Sequence, residues 1–311
     1  MRDRLMRNLI ASFRNRFSLR MLRLLMSLKT DSYILNRIYN FYDPNNLRRH
    51  SKISSRNFVV GSIGKYGERV ELDLNEHIDY RFFFLGYFDD VPKSLINRIG
   101  EASEVFFIDV GANVGLVSIA IASEGYKTLA IEPLPINIKK LRNNLKLNPK
   151  LALEIIESAV GSHNLVSDSQ LIEIFTPPGN SGASSSSKTW NPSVQPSEAK
   201  LVRIDSLDNL CLHILDSSTF THLLIKIDVE GMEFDVIAGA SEILQKYRPH
   251  ILIEWKPGQN ALIKFQELEN VLQTYEYRLS TQISLNGSIP DRSFDPYLVY
   301  ENLLLIPNEL P

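Results

Sequence analysis

Cysteine is nearly absent from this chain of 311 residues: Cys211 is the single one. That excludes an internal disulfide framework and any zinc site built from several thiolates. Long apolar runs are missing too. No stretch approaches the ~18 uninterrupted apolar residues that a membrane-spanning helix needs. Net charge is also small, at −2. What is present, 44% apolar and 23% charged residues, excludes a mostly disordered or collagen-like chain and fits a globular protein. A reducing, cytoplasmic setting is the expectation.

The small net charge hides a segregation. Residues 1–50 carry eleven Arg or Lys against three Asp, a charge of +8, which leaves −10 for the other 261 residues. A basic arm on an acidic body is expected. Within residues 1–29, Leu5, Leu9, Phe13 and Phe17 recur every four residues, and Met21, Leu24 and Leu28 continue the stripe. Arg14, Arg16, Arg20 and Arg23 interrupt it, which rules out the compact apolar core of a signal peptide. The pattern predicts an amphipathic helix, either packed on the body or a neighbouring subunit or lying on an anionic lipid surface. Nucleic-acid binding is not expected, since basic charge alone is sequence-blind.

The chain divides into the arm over 1–50, a β-rich lead-in over 51–100 and an α/β domain over 101–311. In the lead-in, apolar segments at Phe58–Ile63 and Arg69–Leu74 are separated by Gly64 and Gly67, and an aromatic cluster (Phe82, Phe83, Phe84, Tyr87, Phe88) follows. From residue 104, strands and helices alternate. Strands are predicted over Val105–Val110, Thr128–Ile131, Leu153–Val160, His222–Ile227, His250–Ile253, Tyr277–Ile283 and Leu298–Ile306. Helices are predicted over Val114–Ser123, Ile136–Leu147, Phe234–Tyr247 and Leu262–Tyr275. This order implies right-handed βαβ crossovers and a mostly parallel sheet covered on both faces. Residues 176–199 break the rhythm, because 13 of the 24 are Ser, Gly or Pro. They read as a loop, with Trp190 inside it, at the tip of a hairpin formed by Leu171–Phe175 and Lys200–Ile204.

The informative segment is Asp109-Val110-Gly111-Ala112-Asn113-Val114-Gly115 at a strand-to-helix turn, with Glu132 closing the next strand. Open α/β sheets bind ligands at the carboxyl ends of their strands. Gly111 allows a tight turn and close approach of backbone to ligand, and Gly115 allows close helix packing. Glu132 can accept both hydroxyls of a ribose. A dinucleotide fingerprint would have three glycines and a bare helix N-terminus for a pyrophosphate. Here there are two glycines, and Asp109 would repel a pyrophosphate. A nucleoside ligand with an amino group and a cationic centre fits better, and S-adenosylmethionine has both. The alternatives are an NAD-dependent oxidoreductase and a non-catalytic protein that binds an adenosyl ligand.

DVGANVG, AIEPLPINIKKLRNNLKLN, ESAVG, LLIKIDVEGMEFDVIAGA and ILIEW, in that order, resemble the FkbM family of S-adenosylmethionine-dependent methyltransferases. IDYRFFFLGYFDD resembles the family's lead-in, and the likeness spans roughly residues 75–305 without the basic arm. Met232 stands where a small residue is usual, and Asp89 or Asp90 where glutamate is common. The resemblance implies a class I methyltransferase (Rossmann-like) fold, with a seven-stranded sheet whose last strand is antiparallel. It also implies O-methylation of a small-molecule, sugar or glycan hydroxyl. By the same resemblance, Asp109, Gly111, Asn113 and Gly115 line the methionine end of the cofactor and Glu132 binds the ribose. Ser158, Ala159 and Val160 border the adenine, and Asp228 faces the methyl group or substrate.

An alcohol acceptor must lose its proton, so a base is wanted beside it. Asp228 and Glu230, at i and i+2, share one side if their strand continues, with Glu254 ending the next strand beside them. Crowded carboxylates raise one another's pKa, which suits a general base. Asp228 and Glu230 are the catalytic candidates. The competing readings are a divalent metal held by Asp228, Glu230 or Glu254, and a purely structural role in which Glu230 and Glu233 favour the positive end of the following helix. His163, His213, His222 and His250 are expected at strand or loop edges in structural roles, and Cys211 buried on a helix.

Overall fold

The computed structural model describes residues 58–61, 68–73, 91–168, 170–176, 184–186, 198–255, 261–280 and 300–309, with Glu76, Ile78, Asp79 and Phe82. The basic arm, most of the aromatic cluster and Trp190 lie outside the described residues; Phe82 of that cluster is buried.

In chain order the strands are β1 (Phe58–Gly61), β2 (Arg69–Leu72), β3 (Val105–Val110), β4 (Lys127–Ile131), β5 (Leu153–Ile156), β6 (Ala159–Val160), β7 (Leu171–Thr176), β8 (Glu198–Asp205), β9 (His222–Ile227), β10 (His250–Trp255), β11 (Tyr277–Ser280) and β12 (Tyr300–Pro307). The helices are α1 (Val91–Ile99), α2 (Leu116–Ser123), α3 (Pro135–Lys146), α4 (His163–Asp168), α5 (Leu207–Asp216), α6 (Glu233–Ala238), α7 (Ser241–Tyr247) and α8 (Ala261–Thr274).

A seven-stranded sheet carries the domain in the order β11-β12-β10-β9-β3-β4-β5. β3 pairs in parallel with β4 and β9, whereas β12 runs antiparallel to β10 and β11. This is the α/β, class I methyltransferase arrangement that the resemblance implied, including the antiparallel last strand. Every residue of β3 is buried because both faces of the sheet are covered. Phe107, Leu224 and Leu252 pack on one face with α1 and α2, while Ile108, Ile225 and Ile253 pack on the other with α5 to α8. The chain leaves β3 to one side and returns at β9 to the other, so the switch point lies between these two strands.

Three departures from the sequence reading have local causes. The third strand ends at Ile156, and Ala159–Val160 pairs instead with β8 in a separate three-stranded sheet. Ser158 Oγ donates to the Ala159 carbonyl at 2.7 Å, which fixes the break. The helix expected over Phe234–Tyr247 is two helices. Gly239 sits at the joint, where a Cβ would lie 2.1 Å from the Gly161 carbonyl oxygen. A new helix start then needs a cap, and Asp208 supplies it from α5 by accepting the Glu242 and Ile243 N–H groups at 3.0 Å each. Finally, α1 and the short α4 had not been expected, and His213 lies inside α5, not at an edge. The hairpin did form, with Phe175 opposite Ala199, and Cys211 is buried on α5, where burial pushes its thiol pKa up to about 12.

The lead-in docks through side chains that act as a strand partner. Asn148, just beyond α3, donates to the Arg69 carbonyl at 2.7 Å and accepts the Arg69 N–H at 2.9 Å. Asn144 accepts the Glu71 N–H at 2.8 Å. These amides satisfy backbone groups of β2 that a sheet would otherwise pair.

Candidate active site

The carboxyl ends of β3, β4 and β9 open into one pocket. Its described lining includes Gly111, Asn113, Glu132, Asn137, Asp228 and Glu230, with Ile131, Leu134 and Met232 among its apolar members. Ser158, Ala159 and Val160 also line it, despite their unexpected strand. Eight of the ten sequence-predicted site residues thus converge. Asp109 and Gly115 stand behind the wall.

Gly111 is needed where it is. Its φ is +83°, and a Cβ there would meet the Asp228 carbonyl oxygen at 2.0 Å. The turn is held by the Gly111 and Ala112 N–H groups, which both donate to the Ile131 carbonyl. Asn113 follows with φ +52°, a region that asparagine tolerates better than most residues. Gly115, with φ +84°, serves packing: a Cβ would lie 2.1 Å from Leu141 Cδ1 on α3. It caps α2 and lies behind the described pocket lining.

Glu132 is 4% exposed. Its Oε2 accepts the Asn113 N–H at 2.9 Å, and its Oε1 accepts the Leu134 N–H at 3.0 Å and Asn137 Nδ2 at 3.1 Å. A carboxylate offers about four lone-pair positions, so one remains free after these three bonds. Burial pushes its pKa up to about 7 against the pull of those donors. The folded value therefore lies above the unfolded one. Its contribution to stability is present in full below about 4.5 and is lost as pH rises through about 7. Accordingly, the stability advantage of wild type over Glu132→Gln should shrink from pH 4.5 to pH 7 in urea unfolding. A constant difference would place the proton elsewhere.

Asn137 was not singled out from sequence. It is 2% exposed, and its Oδ1 and that of Asn113 are buried without a hydrogen-bond partner among the described residues. Two orphaned acceptors in one pocket point to a donor-bearing ligand. The available signal was a polar residue in the first turn of α3, beside the apolar stripe of Ile138 and Leu141.

Asp109 does not meet the pocket. Its Oδ2 accepts Ser118 Oγ of α2 at 2.6 Å, and its Oδ1 lies 3.6 Å from Lys226 Nζ on β9. Asp109 Oδ1 is buried without a hydrogen-bond partner among the described residues, and Lys226 is the cation it faces. Lys226 Nζ also donates to Asp228 Oδ2 at 3.1 Å.

β9 ends at Ile227, so Asp228 and Glu230 do not share a strand face as expected. They are gathered by a loop in which Glu230 holds φ +51° and Gly231 φ +110°. Ser185, from the hairpin tip, donates to the Glu230 carbonyl at 3.0 Å, and its neighbours Ser184 and Ser186 join the pocket wall. Oxygens of Asp228, Glu230 and Glu254 lie within 4.8 Å of one another, and among the described residues these are the ones able to hold a divalent cation. Glu233 is spent locally: it accepts the Gly231 N–H at 2.8 Å and faces Lys264 Nζ at 3.5 Å. His163 meets Asp208 at 3.0 Å, at the α7 cap and away from the pocket lining.

A family model described as the methyltransferase FkbM domain matches residues 109–279, more than half of the chain. No curated protein sequence matches it. Among solved structures, methyltransferase FkbM from Methylobacillus flagellatus is 18% identical over 67% of this chain, with a TM-score of 0.40. The chain spans 44% of that protein's length. A SAM-dependent methyltransferase from Agrobacterium tumefaciens is 8% identical, over 83% of this chain and 71% of that one, at TM-score 0.42. Magnesium protoporphyrin IX methyltransferase from Synechocystis, with bound SAM, is 8% identical over 70% and 76%, at 0.38.

Proposed function

Because the chain belongs to the FkbM methyltransferase family, we propose that it moves a methyl group from S-adenosylmethionine to a hydroxyl of a sugar, glycan or natural product. The observation that carries this reading is the charge of the pocket. Its described lining holds three carboxylates, Glu132, Asp228 and Glu230, and no lysine, arginine or histidine. A pyrophosphate would meet only repulsion there, whereas an onium-bearing adenosyl compound is attracted. That disfavours the nicotinamide alternative on the chain's own residues.

The residues fit the cofactor. Glu132 keeps an acceptor position for a ribose hydroxyl, and the orphaned Asn113 and Asn137 oxygens await donors. When bound, S-adenosylmethionine supplies a methyl carbon activated by its sulfonium. The protein's part is alignment, exclusion of water and removal of a proton. Asp228 Oδ2 is engaged by Lys226, which leaves Oδ1 to take the proton of the acceptor hydroxyl as that oxygen is alkylated. Glu230 stands beside it as the second candidate base.

Transfer of labelled methyl from S-adenosylmethionine to a panel of sugar and glycan-lipid acceptors tests the proposal. Product carrying the label on an oxygen supports it. Cofactor binding with no transfer to any acceptor would favour the non-catalytic adenosyl-binding alternative.

Among the described residues no helix is long and apolar enough to cross a membrane. We propose a cytoplasmic protein without a nucleic-acid partner, whose arm over residues 1–29 either packs on the body or a neighbouring subunit or makes a peripheral contact to anionic lipid. Deleting residues 1–29 should leave cofactor affinity intact while lowering co-sedimentation with phosphatidylserine vesicles. Undiminished sedimentation would dismiss the lipid contact.

A further inference from the structure

A lysine inside a parallel strand covered on both faces is costly unless its charge is paired. Lys226 is the fifth residue of β9 and is 4% exposed. Its register partner on β3 is Asp109, so the two side chains leave neighbouring strands on the same face. That face is the one packed by Phe107 and Leu224 against α1 and α2. Ser118 of α2 holds the outer oxygen of Asp109, which fixes the carboxylate that receives the lysine.

The lysine does not end its reach there. Nζ lies 3.6 Å from Asp109 Oδ1 and 3.1 Å from Asp228 Oδ2. Side-chain exposure rises along this line, from 1% at Asp109 and 5% at Lys226 to 31% at Asp228. One end is anchored in the core and the other looks into the pocket. Asp228 follows the last residue of β9, where a side chain has no ladder neighbour to hold it. Glu230 and Glu254 are gathered beside it, and these like charges push the Asp228 carboxylate away.

We propose that Lys226 is a positioning residue for methyl transfer: its buried ammonium ties Asp228 to Asp109 and so holds the proton-accepting oxygen at the pocket wall against the repulsion of the neighbouring carboxylates. This rests on the methyltransferase reading for its consequence in turnover, but the tie itself is a property of the chain. A carboxylate misplaced by about 1 Å loses on the order of 100-fold in rate. Arginine in the same place keeps the charge and can still reach both carboxylates.

The test uses the full chain in three forms: wild type, Lys226→Arg, and Lys226→Met combined with Asp109→Asn. The combined variant removes both buried charges together, so neither is stranded and the fold is kept. Crystal structures of the three, each with S-adenosylhomocysteine, should show Asp228 in one place in wild type and Lys226→Arg, and displaced or split in the combined variant. With an acceptor from the panel, kcat in the combined variant should fall about 10- to 100-fold while acceptor KM and S-adenosylhomocysteine affinity stay within a few-fold. Lys226→Arg should recover most of that loss. An unmoved Asp228 in the combined variant, or equal loss in Lys226→Arg, overturns the proposal. If no acceptor is methylated by wild type, the methyltransferase reading fails, while the position of Asp228 still decides the role of Lys226.

Discussion

Glu132→Ala should weaken S-adenosylhomocysteine binding by about 1–3 kcal/mol, roughly 5- to 150-fold, as the loss of charge-assisted hydrogen bonds to a ribose requires. The structure sharpens why the effect should be large. Glu132 is the common acceptor for the Asn113 and Leu134 N–H groups and for Asn137 Nδ2. Alanine would strand all three donors in a pocket wall that the ligand must touch. Glu132→Gln is the informative companion, because it fills the same space but turns one acceptor into a donor. Calorimetric titration of the three proteins reads the effect, and unchanged affinity in both variants would remove the ribose from this residue.

Asp228→Asn should lower turnover about 10²- to 10⁴-fold, the usual contribution of a positioned base, with cofactor affinity changed by no more than a few-fold. Asparagine still offers Lys226 an oxygen, so the tie described at 3.1 Å persists as a weaker ion–dipole contact and the pocket keeps its shape. What it loses is proton affinity. Steady-state rates alongside cofactor titration separate the two properties. Equal losses in rate and affinity would make Asp228 a binding residue and leave Glu230 to act as base.

The strands that build the site were legible because they are apolar runs with sharp ends. β3 and β9 occupy Val105–Val110 and His222–Ile227, as their composition predicts. Gly111 was readable as a turn residue, and Glu132 as a carboxylate at a strand end. What could not be read was the partner of each charge. Asp109 and Lys226 are 117 positions apart in the chain yet register neighbours in the sheet. Sequence spacing therefore gives no sign that Asp109 faces a lysine across the sheet. The same blindness to distant partners explains the broken helix at Gly239, whose second half is capped by Asp208 of α5. It also explains the third strand, whose end left the main sheet to pair with β8. Asp228, Glu230 and Glu254 were expected together on the strength of a continuing strand. They do meet, but a loop through two positive-φ residues brings them there.

The measurement that bears most directly on the account is calorimetric titration of the full chain with S-adenosylmethionine and with NAD, between pH 6 and pH 8. Ionised Glu132 accepts ribose hydroxyls more strongly than the protonated acid does, and burial pushes its pKa up to about 7. The account predicts one S-adenosylmethionine bound per chain, more tightly at pH 8 than at pH 6, with that pH dependence lost in Glu132→Gln and no heat from NAD. Binding of NAD in preference to S-adenosylmethionine, or no binding of S-adenosylmethionine at either pH, would contradict it.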